Sequence, residues 1–146
     1  MNNNPSKENL INQAIKFHMQ GNIPEATLLY KQLIIEGCGD PSVFSNYGII
    51  LRNLGKLKEA EISYRKAIEL KPDLAAGHNN LGTVLKDLGK LKEAELSISK
   101  ATELDPDFAI AHNNLGTVLN DLRKSKDAES SYRKAIELNP EYAEAH

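Results

Sequence analysis

Apolar residues recur along this chain with a helical period, and short polar breaks interrupt them at regular intervals. Between residues 76 and 88, Leu81, Leu85 and Leu88 fall at i, i+4 and i+7 with Val84 beside them, which predicts one helix. Gly89 and Lys90 break the pattern, and glycine suits the left-handed residue that follows a helix. A second stripe, Ala94, Ile98, Ala101 and Leu104, predicts a helix over 92–104, and Pro106 closes it because proline cannot continue the hydrogen-bond ladder. Two amphipathic helices joined by a glycine turn thus form one unit.

The unit repeats every 34 residues. Ala26, Ala60, Ala94 and Ala128 align, as do Tyr30, Tyr64, Ile98 and Tyr132, and Gly48, Gly82 and Gly116. The units are 7–40, 41–74, 75–108 and 109–142, and residues 143–146 repeat the opening of the units before them. Units two and three are identical at 18 of 34 places, far above chance, whereas units one and two share only 7. The first unit is therefore the atypical one. It lacks the closing proline and ends Gly37-Cys38-Gly39-Asp40. Asp40-Pro41 and Asn22-Ile23-Pro24 read as helix starts, with an N-cap followed by an early proline. Arg123 stands where Gly21, Gly55 and Gly89 stand, so an arginine is expected in a left-handed turn.

The set Leu81-Gly82, Leu85, Gly89, Ala94, Ile98, Ala101 and Pro106 resembles the tetratricopeptide repeat over about 7–142. The resemblance implies an all-α fold, a right-handed superhelical solenoid of helix-turn-helix repeats forming a single domain over 1–146. It departs from the family pattern where an aromatic is usual in the first helix, which here has Leu10, Phe44, His78 and His112. The implied function is a protein–protein interaction scaffold that binds a peptide or partner protein in its concave groove.

One polar position recurs once per unit: Asn12, Asn46, Asn80 and Asn114. A primary amide matches the donor and acceptor of a peptide group. Repeats about 10 Å apart and a strand rise of about 3.3 Å would give one asparagine for roughly every three ligand residues. This ladder is similar to the arm of O-GlcNAc transferases, which implies that Asn12, Asn46, Asn80 and Asn114 hold substrate backbone. Asn79, Thr83, Asn113 and Thr117 lie beside them and complete the expected peptide-binding set. The alternative is that these amides bridge neighbouring repeats. The basic clamp of tetratricopeptide co-chaperones has no counterpart, because the equivalent places are Ile11, Ile15, Ser45, Ile49, Ala76 and Ile110.

Composition narrows the field further. The formal net charge is -2 and the lysines form no basic stripe, so no nucleic-acid partner is expected. No apolar run is long enough for a membrane span. Cys38 is the single cysteine, which excludes a disulfide framework within the chain, favours a cytoplasmic setting and reads as incidental. His78, His112 and His146 also recur at 34, but stacked repeats cannot bring their rings within about 2.1 Å of one ion, so no metal or other cofactor is expected. No catalytic motif is present, and the chain reads as a binding module rather than an enzyme. Two rival readings stand beside it. One is the N-terminal, substrate-presenting arm of a larger enzyme such as a glycosyltransferase. The other is a self-assembling module in which the last helix, with Tyr132, Ala135, Ile136 and Leu138, leaves an apolar face for another copy. The partial fifth unit at 143–146 suggests a longer protein.

Overall fold

The computed structural model describes residues 6–145. Its backbone gathers into two compact units, Met1–Leu70 and Lys71–His146. Each contains two helical hairpins.

In the first unit α1 (Lys7–Met19) pairs with α2 (Ile23–Ile35), and α3 (Pro41–Asn53) with α4 (Leu57–Leu70). Packing of α2 on α3 joins the hairpins. Ala14, Ala26, Tyr30, Leu33, Val43 and Ile50 form the core between them. Large apolar side chains of this kind stabilise the fold by about 1.5–3 kcal/mol each when fully buried. Cys38 belongs to the same core and is buried, so it is a packing residue rather than an incidental turn residue.

The second unit repeats the plan. It pairs α5 (Ala75–Asp87) with α6 (Leu91–Leu104) and α7 (Ala109–Asp121) with α8 (Ser125–Leu138), while α6 packs on α7. A 3-10 helix, Pro140–Ala145, lies against α8. Ala135 of α8 is buried, and Tyr132, Ile136 and Leu138 are half-buried. His146 lies outside the described residues.

The repeat signature acquires a packing reason. A Cβ placed on Gly48 would lie 2.7 Å from the Tyr64 ring, and one on Gly116 would lie 2.7 Å from the Tyr132 ring. On Gly82 it would collide with Ile98 and sit 3.3 Å from the Ala94 carbonyl oxygen. The missing methyl chiefly makes room for the large side chain of the second helix. The aligned alanines, Ala26, Ala60, Ala94 and Ala128, are all buried in the hairpin seams.

Each hairpin turn ends in the same cap. The amide of Asn22 donates to the Phe17 carbonyl at 2.8 Å, with Gly21 at φ 79°. The amide of Lys124 donates to the Leu119 carbonyl at 2.8 Å, but here Arg123 occupies the left-handed position at φ 64°. The arginine therefore keeps the glycine geometry. At the helix starts, Asp40 accepts from the Ser42 amide at 2.8 Å and caps α3. Asn22 occupies the N-cap place of α2, but its side chain makes no capping bond; its ψ of 68° departs from the extended backbone usual at a cap.

Candidate functional site

The recurring asparagines all sit on the first helix of a hairpin, two residues before the small residue that meets the second helix. Asn12 is exposed on α1, while Asn46, Asn80 and Asn114 are half-buried on α3, α5 and α7.

In the first unit the Asn46 side chain stands against the Tyr30 hydroxyl. Tyr30 is completely buried, and its hydroxyl also lies 3.3 Å from His18 Nδ1. The His18 and Tyr30 rings meet edge to face, with centroids 6.0 Å apart. Burial pushes the Tyr30 phenol up, and the Asn46 amide partly offsets that rise. Burial also lowers the His18 pKa, which favours the neutral ring. A consistent arrangement has the Asn46 amide donating to the phenol oxygen and the phenol donating to His18.

In the second unit the position equivalent to Tyr30 is Ile98, which has no hydroxyl. The Asn114 amide turns instead to α5 and donates from Nδ2 to Asn79 Oδ1 at 3.1 Å. Asn79 is only 5% exposed. It supports Asn114 from beneath and does not present its own amide at the surface. Thr83 donates to the Asn80 carbonyl at 2.8 Å, and Thr117 donates to the Asn113 carbonyl at 3.1 Å while accepting from the Tyr132 hydroxyl at 3.3 Å. Asn113 is half-buried. Of the expected set, then, Asn12 is exposed, Asn46, Asn80, Thr83, Asn113, Asn114 and Thr117 are half-buried, and Asn79 is buried.

A second polar register passed unnoticed in the sequence. Ser63 donates to the Phe44 carbonyl at 2.6 Å, and Ser97 donates to the His78 carbonyl at 2.7 Å. Both serines are buried on second helices and tie them to first helices. Their spacing of one repeat was a usable signal.

The periodic histidines serve the turns. His78 Nε2 is 2.7 Å from the Pro72 carbonyl, and His112 Nε2 is 2.8 Å from the Pro106 carbonyl. Among the described residues no group of three His, Cys, Asp or Glu side chains is placed to hold a metal ion. No helix there is long and apolar enough to cross a membrane.

Models of the tetratricopeptide repeat match residues 75–108 and 109–142, the same limits as the third and fourth units, and a TPR repeat model matches 48–89. The chain is built from tetratricopeptide repeats. Among solved structures it is similar to MamA at 19% identity, covering 95% of this chain and 81% of that one with a TM-score of 0.85. It is also similar to YrrB, described as a TPR protein with an unusual peptide-binding site, at 23% identity over 92% of this chain and 70% of that one, with a TM-score of 0.82. The Arabidopsis OM64 TPR domain matches at 25% identity over 69% of this chain and 84% of that one, with a TM-score of 0.68. No curated protein matches the chain. At such low identity, MamA and YrrB establish the tetratricopeptide fold and nothing narrower.

Proposed function

We propose that this tetratricopeptide chain is a protein-binding scaffold whose first helices grip an extended peptide by its backbone. The reading rests on one observation. Asn46 and Asn114 keep the same register on their helices, and each is held by an internal partner: Asn114 donates to Asn79 at 3.1 Å, and Asn46 stands against the Tyr30 hydroxyl. A primary amide has two N–H donors and a carbonyl oxygen. One internal bond fixes its orientation and leaves a donor and an acceptor for a ligand. Pre-oriented amides spare part of the ordering cost of binding.

Asn80 and Asn114 belong to one unit and are one repeat apart, about 10 Å by helix-packing distances. Two such amides would engage peptide groups about three residues apart, at roughly 3.3 Å per residue. Asn12 and Asn46 would do the same in the first unit. The solved YrrB structure, with its peptide-binding site, supports the same class of function.

Backbone recognition has a specific test. A peptide selected by the immobilised chain from a randomised pool is resynthesised twice, once with single alanine replacements and once with single backbone N-methyl groups. The N-methyl series should lose binding at positions about three residues apart, while most alanine replacements are tolerated. The reverse pattern, with side chains decisive and N-methyl groups harmless, would refute the proposal.

A further inference from the structure

The first unit carries an open groove of about 670 Å³ whose walls do not include the asparagines. Phe44, Tyr47 and Leu51 of α3, Ile34 of α2, and Ile62 and Leu70 of α4 supply its apolar surface. Ile62 stands 70% exposed at its mouth, as Leu28 and Leu96 do at the same place in the neighbouring repeats.

The groove lies beside the atypical end of the first repeat, where Gly37, Cys38 and Gly39 line it. Later repeats carry Leu74 and Phe108 just before the next helix, and both are half-buried. The first repeat has Asp40 there, and its carboxylate is turned to cap α3. Gly37 and Gly39 flank the buried Cys38 and add no side chains to the space. The chain thus lacks, at this one turn, the apolar side chain that its own repeat pattern supplies elsewhere.

The charges around the groove are unequal. Glu61 on α4 is held by Arg65 at 2.9 Å, and Lys66 is paired with Glu69 at 3.3 Å. Glu59 and Lys66 both line the groove, but Lys66 is engaged by Glu69, while Glu59 has no ion pair among the described residues. It stands two helical turns from Lys66, about 10 Å along the axis at 1.5 Å per residue. Burial and the Glu59 charge together raise the Tyr47 phenol, so that carboxylate acts on the aromatic wall.

An apolar channel with an aromatic wall and an unmatched carboxylate suits a cation carried on an aliphatic stem. We infer that the groove binds a basic side chain of a partner polypeptide, an arginine or lysine between apolar residues, with its stem along Tyr47 and Ile62 and its cation on Glu59. The neighbouring apolar residues would cover Ile34 and Leu70. This surface is separate from the asparagine register, so one chain could hold a peptide on its first helices and a basic segment here.

The test uses the full chain and two acetylated, amidated tripeptides, Leu-Arg-Leu and Leu-Gln-Leu, followed by NMR shifts of Tyr47 and Ile62. The arginine peptide should shift both residues saturably and bind about tenfold more tightly than the glutamine peptide, the scale expected for a partly desolvated cation on an aromatic and acidic site. Glu59→Gln alters an exposed side chain, should leave the melting temperature unchanged, and should erase the preference. Tyr47→Ser should weaken both peptides. Equal binding of the two peptides, a preference that survives Glu59→Gln, or shifts confined to Asn80 and Asn114 would each overturn the inference.

Discussion

Asn114 on α7 donates its side-chain amide to the buried side-chain oxygen of Asn79 on α5, 3.1 Å away. The bond ties the first helices of successive repeats together and aims an amide of the candidate site. Truncating Asn114 to alanine strands the Asn79 oxygen in a buried place. The expected cost is about 1–3 kcal/mol, the penalty for an unsatisfied buried polar group. Removing both side chains should cost less than the sum of the single changes, because neither partner is then left unpaired. Urea melts of the two single variants and the double variant measure this directly. Strict additivity would mean that the bond does not hold in solution.

Gly82 offers a sharper packing test. Alanine is the better helix former by about 1 kcal/mol. Yet a Cβ at this place meets Ile98 and the Ala94 carbonyl oxygen. Overpacking of this kind typically costs about 1–3 kcal/mol, so Gly82→Ala should destabilise the protein on balance. Ile98→Ala introduced into that variant should cost less than Ile98→Ala alone, since it relieves the clash. Thermal melts of the four proteins decide the point. A stabilised Gly82→Ala protein would show that helix propensity outweighs the packing.

Arg123 holds φ at 64° inside a turn that other repeats build with glycine. Left-handed backbone costs an ordinary residue about 1–2 kcal/mol, and glycine far less. Arg123→Gly should therefore raise stability by about 1 kcal/mol, despite the extra freedom glycine gives the unfolded chain. A loss of stability on calorimetry would mean that the arginine side chain makes a compensating contact.

Helix ends and turns were legible in the sequence because they depend on local chemistry. The periods of 81, 85 and 88 and of 94, 98 and 101 located α5 and α6 to within about one residue, the usual uncertainty of helix ends. Arg123 was expected in a left-handed turn because it takes the place of three glycines. The candidate site was legible as a register but not as a geometry. Nothing local says that Asn114 reaches back 35 residues to Asn79, or that Asn46 meets Tyr30. Those partners follow from how helices pack, and from one exchange, Tyr30 for Ile98, whose consequence emerges only once the helices are placed. The groove lined by Phe44, Tyr47 and Leu51 was likewise not legible, because its walls come from three helices.

His18 gives the fold an acid limit. Its pKa lies below the ordinary histidine value because burial disfavours the charged ring. The unfolded chain therefore takes up the proton first as pH falls. The contribution to stability is fully present above the ordinary value of about 6.5 and is lost as pH drops from there through the folded pKa. Protonation also removes the Nδ1 lone pair that faces Tyr30. Melting temperature should decline over this range in the native protein and less steeply in His18→Gln. Parallel pH profiles would exclude His18 as the group responsible.

The central claim is that the asparagine register binds peptide backbone, and one titration tests it most directly. The probe is the peptide selected from the randomised pool, measured by calorimetry against the native chain and against the triple variant Asn46→Ala, Asn80→Ala, Asn114→Ala. Three lost hydrogen bonds at about 1 kcal/mol each should weaken binding by about 100-fold. Asn46 and Asn114 also have internal partners, so some loss of stability is expected, and the titration is run well below the variant's melting temperature. Asn79→Ala serves as the control that disturbs Asn114 while leaving its amide in place. The account predicts a folded triple variant with affinity reduced on that scale and an Asn79→Ala protein much closer to the native value. Native affinity in a folded triple variant would contradict it.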